Sequence, residues 1–550
     1  MPRVLPATLA ALLLGAVPAV AAPRVVEFER PASAAPAAAA AQRGYVSDPV
    51  RAERRFNLVG LSWRGRAEPA IALRARRAGG GWTRWTPASA PGGHAPEVRG
   101  SEGSPRRTSE PVWVGPADRV QYRMSRRVPD LKLHFVHSRA GEPQVRAQAA
   151  ARRPRIRSRA EWGASQCPTR GVSYGKVRAA VVHHTVTANA YTRAQTPAAI
   201  LAICRFHRNT NGWNDIGYNF VVDRFGRIWE GRDGGADEAV MGSHAQGYNS
   251  QTTGISNLGT FTAIPQTDAA ITAMARLIRW KLGNHGVRTH GRPRLTSAGG
   301  SSARYPAGDR RRFERILGHR DTGATSCPGE QLYYQLSDLR ERVGERRPAG
   351  APVRMEAPLP AFLGYTSTGY TFDGRLTDRD DLALAWRTVE LQRLRRTGWK
   401  RIGEGITDAE GAFAASTRFK RNTVLRWEFP GDETHRPFRG DGVLVGIAPQ
   451  MTLEASATDV LADEQLELSG TIFPRKSGQL RLVIERDEFG TWRRIARRKV
   501  QAARGTFSKR RRFADEGRYR LSVEFGGDAR NTAGVSPHVE VTVRDPFSPF

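Results

Sequence analysis

A chain of 550 residues is too long for one hydrophobic core, and about three to five domains are expected. Apolar residues at 39% exclude a wholly disordered chain, and 3 cysteines exclude a disulfide-dense scaffold. The formal charge of +33 points to a polyanion: nucleic acid, an anionic membrane surface or an acidic wall polymer. Only 8 of the 86 basic residues are lysine, so the codon bias of a GC-rich genome is a competing source of that charge.

Residues 1–21 read as a secretory signal peptide. Arg3 supplies the positive start, Val4 to Val17 is apolar around Leu12-Leu13-Leu14, and Ala19-Val20-Ala21 offers a small-x-small cleavage pattern. The apolar run is shorter than the roughly 20 residues that cross a bilayer, and no later segment reads as a transmembrane span. Export into a disulfide-permissive compartment is the expectation, and it argues against a nucleic-acid partner. Residues 22–43 read as a low-complexity Pro/Ala linker. Residues 44–140 alternate as strands do: Ile71, Leu73 and Ala75 share one face, and Arg74 and Arg76 the other. With Val112-Trp113-Val114 and with Leu131, Leu133 and Phe135, this predicts a β-sandwich. Trp82 and Trp85, after the turn Gly79-Gly80-Gly81, are either core residues or platforms for sugar rings.

Mixed α and β texture follows over 157–345. Thr196, with Pro197 behind it, reads as the cap of a helix carrying Ile200, Ile203, Cys204 and His207 on one face. Thr267 reads as the cap of a second, with Ile271, Met274, Ile278 and Leu282 spaced for burial, and a third runs from about Gln331 to Arg342. Strands are predicted over Ala179 to His183, Tyr218 to Val222, Arg227 to Glu230 and Gly254 to Leu258. Residues 346–360 read as a linker. Beyond it the sequence repeats itself over 361–449 and 450–545. Trp399-Lys400-Arg401-Ile402 recurs as Trp492-Arg493-Arg494-Ile495, and Gly411-Ala412-Phe413 as Gly505-Thr506-Phe507. Two immunoglobulin-like β-sandwich repeats, with a spacing or adhesion role, are predicted.

The chemistry concentrates in the α/β segment. Val181-Val182-His183-His184-Thr185 ends an apolar strand in histidines, and Gly318-His319-Arg320-Asp321 and Thr325-Ser326-Cys327-Pro328-Gly329 follow later. Two histidines and a cysteine suit a three-ligand zinc site, in which a fourth position holds water whose pKa falls towards neutrality. On spacing alone, two histidines on one strand are more often packed or solvated than metal-bound.

From Arg157 to Val343 the chain resembles the type 2 N-acetylmuramoyl-L-alanine amidases and peptidoglycan recognition proteins. The resemblance rests on Arg159-Ala160-Glu161-Trp162-Gly163, Val181 to Thr185, Trp213 to Phe220, Ile228 to Arg232, Gly242-Ser243-His244-Ala245 and Gly318 to Pro328. The overall layout is similar to that of exported actinobacterial amidases. The resemblance implies one zinc ion held by His183, His319 and Cys327, with His184 at a position that need not be histidine. It implies that Tyr218 stabilises the oxyanion or orients the water, and that Thr325 hydrogen-bonds in the active site. His207, His244 and Asn249 match positions near the glycan-peptide groove and are expected substrate contacts. With Cys327 as ligand, Cys167 and Cys204 remain and are expected to form a disulfide, two free thiols being the alternative. Asp233-Gly234-Gly235 stands where a Gly-Trp marker of stem-peptide type would be, so that preference is not readable. Asn257 replaces a residue usually apolar, which suggests a local polar contact.

The implied fold is therefore multidomain: an α/β zinc amidase domain, a mixed sheet with flanking helices, between an N-terminal β-sandwich and two C-terminal repeats. The implied function is hydrolysis of the lactyl amide between N-acetylmuramic acid and L-alanine by a secreted, wall-associated enzyme. Its partner would be peptidoglycan, glycan strand plus stem peptide, with anionic wall polymers as a further possibility. The rivals are a peptidoglycan-binding protein without catalysis and an adhesion protein in which the β domains do the work.

Overall fold

The computed structural model describes residues 24–31, 45–77, 79–88, 94–97, 102–139, 153–344 and 350–545; the signal segment read over 1–21 lies outside them. Among the described residues no helix is long and apolar enough to cross a membrane.

The N-terminal domain is all-β. Strands β1 (Arg24–Pro31), β2 (Tyr45–Val46), β3 (Val50–Trp63), β4 (Ile71–Arg77), β5 (Thr86–Pro87), β6 (Arg107–Thr108), β7 (Val112–Met124) and β8 (Lys132–Arg139) form one connected sheet. Its order is β1-β8-β3-β7-β4-β5, with β2 on β7 and β6 on β3. All eight strands are thus linked by hydrogen bonds into one connected sheet. The long β3 steps in register against β7 between Arg51 and Phe56 and again before Leu58. Phe56, Leu61, Trp63, Leu73, Tyr122 and Phe135 meet in its core. Strand β1 corrects the linker expected over 22–43. Its alternation sends Phe28 onto Phe135, ring centroids 4.9 Å apart, while Val25 packs towards the next domain. Trp82 and Trp85 are half-buried, and the Arg74 guanidinium carbon lies 4.9 and 4.7 Å from their ring centroids.

The central domain is built on a mixed sheet: β9 (Ile156–Arg157), β10 (Ala179–His184), β11 (Phe220–Val222), β12 (Ile228–Glu230), β13 (Thr252–Asn257) and β16 (Ile316–Gly318). A separate hairpin, β14 (Arg294–Thr296) with β15 (Arg310–Arg312), lies outside that sheet. The order is β16-β10-β13-β11-β12-β9, parallel throughout except for β11 against β12. Helix α1 (Thr196–Asn209) covers one face, and α2 (Asp268–Asn284) with α4 (Leu336–Gly344) covers the other. Strand alternation sorts the side chains. Ala180 and Val182 face α2, while Ala179 and Val181 join Tyr248, Phe313 and Leu317 on the opposite side. The same parity sends His183 and His184 to opposite faces.

Thr267 caps α2 as expected, accepting from the Ala270 amide. Thr196 is not a cap: it lies inside α1, and its hydroxyl accepts from Arg227 Nη2 at 2.7 Å. The turn before α1 is headed by Thr192, which forms a capping box with Gln195. The helix predicted from Gln331 to Arg342 breaks into α3 (Glu330–Tyr334) and α4 at Gln335. That side chain turns away to bond both the amide and the carbonyl of Gln266, at 2.8 and 2.9 Å.

The N-terminal and central domains share a core. Leu58, Trp113 and Val136 of the first pack with Ala198–Cys204 and Phe206 of α1. A Cβ at Gly60 would lie 2.3 Å from the Phe206 ring, so only glycine permits this approach. Ser138 Oγ donates to the Ala198 carbonyl at 2.7 Å, and Asn209 Nδ2 to Glu27 Oε2 at 2.8 Å.

The first C-terminal unit has two sheets, Val353–Glu356 with Tyr370–Asp378 and Ala412–Thr417 facing a layer built on Thr388–Arg395 and Thr423–Phe429. Phe413, Leu391, Trp427 and Val445 fill the space between them. Val353–Glu356 corrects the linker expected over 346–360: Val353 and Met355 alternate into this core. The second unit is one connected ten-stranded sheet from Gln450 to Arg544. The sequence repeat has a structural counterpart. Each copy's hairpin steps its register across from the repeated isoleucine, between Leu391 and Gln392 opposite Ile402, and between Ile484 and Glu485 opposite Ile495.

Candidate metal centre

The ends of β10 and β16 bring the motifs together. Strand β10 delivers His183, β16 runs directly into the 3₁₀ turn His319–Asp321, and Cys327 returns on the loop that follows. Gly318 cannot carry a side chain here, because a Cβ would lie 2.7 Å from the Tyr333 ring and 3.1 Å from Pro328. Asp321 fixes the turn by accepting from the Gly318 amide at 2.9 Å and from the Tyr333 hydroxyl at 2.7 Å. Thr325 Oγ1 accepts from the Cys327 amide at 3.1 Å, so this residue positions the cysteine loop. The His184 amide donates to Cys327 Sγ at 3.4 Å, and its ring accepts from the Phe261 amide on the other face of the sheet.

His183, His319 and Cys327 are all buried, and a fourth donor joins them. His94, from the N-terminal domain, points Nε2 at His183 Nδ1 from 3.0 Å and stacks on the His319 ring with centroids 4.3 Å apart. Cys327 Sγ lies 3.8 Å from the same His183 nitrogen, and the donor atoms of all four residues fall within 4.8 Å of one another. Zinc with nitrogen at about 2.0 Å and sulfur at about 2.3 Å needs tetrahedral N–N and N–S separations of about 3.3 and 3.5 Å. The donors fit that ion in type and spacing. Burial, reinforced by the neighbouring histidines, holds His183 far below the ordinary imidazole range, leaving it in its neutral, ligating form. Burial pushes the Cys327 thiol up, a bias that a bound divalent cation reverses.

A second layer sets the His183 tautomer. Its Nε2 lies 3.1 Å from His244 Nδ1, so a ring that turns Nδ1 to the centre carries its proton on Nε2 and donates it there. Asn249 Oδ1 accepts from the amides of His244 and Ala245, both at 2.8 Å. Asn257 supplies the polar contact expected of it, donating to the His183 carbonyl at 3.1 Å. His207 and His244, which the resemblance places near the groove, are both buried in this structure, where residues of the N-terminal domain lie over the groove. His207 accepts from the Gly217 amide at 3.2 Å, and its ring packs on Trp213 and Tyr218. Asn249 has one end in the groove, where Nδ2 donates to the Ala95 carbonyl at 2.9 Å. Tyr218 is buried, with its ring centroid 5.6 Å from that of His183. Cys167 and Cys204 form a disulfide between the loop before β10 and α1.

His94 and its partner Glu110, whose Oε1 lies 2.7 Å from His94 Nδ1, carried no sequence signal. The segment Gly93-His94-Ala95-Pro96 has no periodicity, and only the docking of two domains brings it to the donors.

An α/β sheet that gathers two histidines and a cysteine at one end, with a third histidine from a neighbouring domain, defines a protein with a buried centre suited to zinc. Comparison with known proteins gives the family. Residues 173–330 match the family described as N-acetylmuramoyl-L-alanine amidase, and residues 18–157 one described as Rv3811 N-terminal galactose-binding domain-like. Peptidoglycan-recognition protein SC2 of Drosophila melanogaster is 30% identical over 181 residues, 33% of this chain and 84% of that protein. The N-acetylmuramoyl-L-alanine amidase of Homo sapiens is 33% identical over 190 residues, 33% of this chain and 28% of that protein. Among solved structures, wild-type Drosophila PGRP-LB is 26% identical, covering 33% of this chain and 92% of that chain with a TM-score of 0.27. The chain belongs to the family of type 2 N-acetylmuramoyl-L-alanine amidases and peptidoglycan recognition proteins.

Proposed function

We propose that this chain is an exported, zinc-dependent N-acetylmuramoyl-L-alanine amidase that hydrolyses the lactyl amide joining N-acetylmuramic acid to L-alanine. The observation that carries the reading is the convergence of His183, His319 and Cys327 within the region matched to the amidase family. Bound zinc supplies polarisation of the scissile carbonyl and a nucleophile at neutral pH. Tyr218 contributes a hydrogen-bond donor for charge developing on the carbonyl oxygen. Burial holds its phenol far above the ordinary range, so the proton stays on the hydroxyl. Thr325 and His244 act through the ligands, the first by bonding the Cys327 backbone and the second by holding the His183 tautomer. The carboxylate beside the donor set is Glu110, and it comes from the N-terminal domain.

Export rests on the signal-like residues 1–21, and the expected location is the cell wall. The basic surface is read as a means of retention on carboxylate- and phosphate-bearing wall polymers. The two C-terminal units are read as immunoglobulin-like repeats that space or attach the enzyme.

Mass spectrometry of muropeptides digested with and without a chelator tests the reading. Free stem peptides beginning in L-alanine should appear only without the chelator, and His319→Ala should abolish both their release and stoichiometric zinc. Full zinc-dependent hydrolysis by His319→Ala would overturn it. Stoichiometric zinc without any release would favour a protein that only binds peptidoglycan.

A further inference from the structure

The zinc reading leaves one question of geometry. A catalytic zinc site keeps one position open for water or substrate, whereas a site closed by four protein ligands is structural. Here the fourth position is taken. We propose that His94 is a displaceable fourth ligand of the metal centre, supplied by the N-terminal domain, and that the structure is the latent form of the enzyme. The proposal rests on the zinc reading of His183, His319 and Cys327.

Three independent features converge on it. The first is the ligand geometry. His94 Nε2 lies 3.0 Å from His183 Nδ1, within a donor set no wider than 4.8 Å. The second is orientation. Glu110 Oε1 lies 2.7 Å from His94 Nδ1, with both residues buried. A carboxylate behind an imidazole fixes its tautomer and raises its basicity, the arrangement commonly found around histidines that bind metals. Both residues belong to the N-terminal domain, so that domain carries a ligand together with its support.

The third feature is anchorage. The residues around His94 occupy hydrogen-bonding groups of the groove. Besides the bond from Asn249 to Ala95, Gln246 Nε2 donates to the Pro96 carbonyl at 3.1 Å. Glu97 accepts from the amides of Gly247 and Ser250 at 3.1 and 3.3 Å. Glu102 accepts from Arg232, from Ser243 Oγ at 2.9 Å and from the Asn214 amide at 3.2 Å. Arg232 and Ser243 are both buried. The contact thus extends from the metal site along the groove on two carboxylates and two carbonyls. A substrate carbonyl cannot reach the centre while His94 holds it. Activation would need no redox step: withdrawal of His94 would leave His183, His319 and Cys327 to hold the ion, with the fourth position free for the chemistry. The apolar interface around Phe206 and Trp113 does not involve this segment, so the exchange does not require the domains to separate.

The test uses the full-length chain, zinc-loaded for affinity measurements and cobalt(II)-substituted for visible absorption, with azide as the probe. Wild type should show no spectral response to azide. His94→Ala should respond to azide, bind zinc more weakly in a chelator competition by at least the roughly 10- to 100-fold that loss of an outer partner costs, and release muropeptides faster than wild type. Glu102→Gln removes an anchor without touching a donor, and should open the cobalt site to azide while zinc affinity falls less. It also decides the matter should His94→Ala misfold. Equal zinc affinity and equal azide response in wild type and both variants would overturn the proposal while leaving the zinc reading intact. Unaltered zinc affinity in His183→Ala would instead remove the zinc reading itself.

Discussion

Gly254→Ala is a small substitution with a calculable consequence at the metal site. Gly254 lies in β13 beneath His244, and an added Cβ would sit 2.4 Å from Cγ and Cδ2 of that ring and 2.8 Å from Nδ1. Ordinary contact begins at 3.4 Å, so the ring must retreat by about 1 Å. His244 Nδ1 stands 3.1 Å from His183 Nε2, and a retreat of that size takes the pair beyond hydrogen-bond range. Loss of such an outer partner weakens metal binding about 10- to 100-fold, or roughly 1.4–2.7 kcal/mol. The assay is chelator competition for zinc on wild type, Gly254→Ala, His244→Ala and the double variant. Because the alanine acts only by displacing the ring, the double variant should bind zinc no more weakly than His244→Ala alone. The coupling between the two sites should then match the single-variant loss. Additive losses, or wild-type affinity in Gly254→Ala, would refute the argument that His244 holds His183 in its ligating orientation.

Other consequences can be measured separately. Tyr218→Phe should lower kcat about 10²- to 10³-fold on a chain freed of the His94 contact, with KM and zinc affinity little changed; an equal fall in zinc affinity would show a structural role instead. Asp338 accepts two bonds from Arg342 and pairs with Arg426 of the first C-terminal unit. Burial opposes its charge, but Arg342 and Arg426 outweigh that and hold the carboxyl below its ordinary value. A carboxyl depressed in the folded state stabilises fully above its unfolded value and loses that contribution as pH falls through the folded one. Acidification below about pH 4 should therefore lower the thermal transition of wild type more than that of Asp338→Asn, which at neutral pH should itself cost about 3 kcal/mol. Attachment to isolated walls should fall steeply with added salt, whereas hydrolysis of soluble fragments should not, if the charge of +33 serves retention.

Much of the central domain was legible in the sequence because its signals are local. The apolar run Ala179 to His183 marked the strand that ends in the histidines, and the Thr267 cap and the spacing of Ile271, Met274 and Ile278 gave α2 its start and its buried stripe. The grouping of His183, His319 and Cys327 and the cysteine pairing followed from the family resemblance, since spacing alone favoured packed histidines. What failed depends on distant parts of the chain. Composition marked 22–43 and 346–360 as linkers, yet Phe28 finds its core at the distant Phe135 and Met355 joins that of the unit that follows it. The helix expected through Gln335 is interrupted there, and the Gln335 side chain pairs with Gln266, a partner far earlier in the chain that no local pattern announces. His207 and His244 matched groove positions by order in the sequence, and their order alone did not show that His207 packs on Trp213 or that His244 lies against Gly242 and Gly254.

His94 is the extreme case, and it bears on how the two domains should be regarded. A histidine 89 residues before His183, in a segment of glycine and proline, has no local reason to approach a metal site. It gets there because Gly60 lets Phe206 of α1 close against the N-terminal sheet, and because Trp113 and Leu58 complete a core that α1 cannot bury alone. That shared core precedes any chemistry: it is an apolar interface that holds whether or not the groove is occupied. On the proposed zinc reading the centre belongs to two domains, one contributing His183, His319 and Cys327 and the other His94 with Glu110 behind it. If the domains were joined only by a linker, His94 would reach the centre at an effective concentration in the millimolar range, and a modest competitor would displace it. Docked as it is, the imidazole is delivered with its orientation already set. Displacing it must then break the bonds of Glu97 and Glu102 together with the metal bond, so activation should depend on those two carboxylates as strongly as on His94 itself.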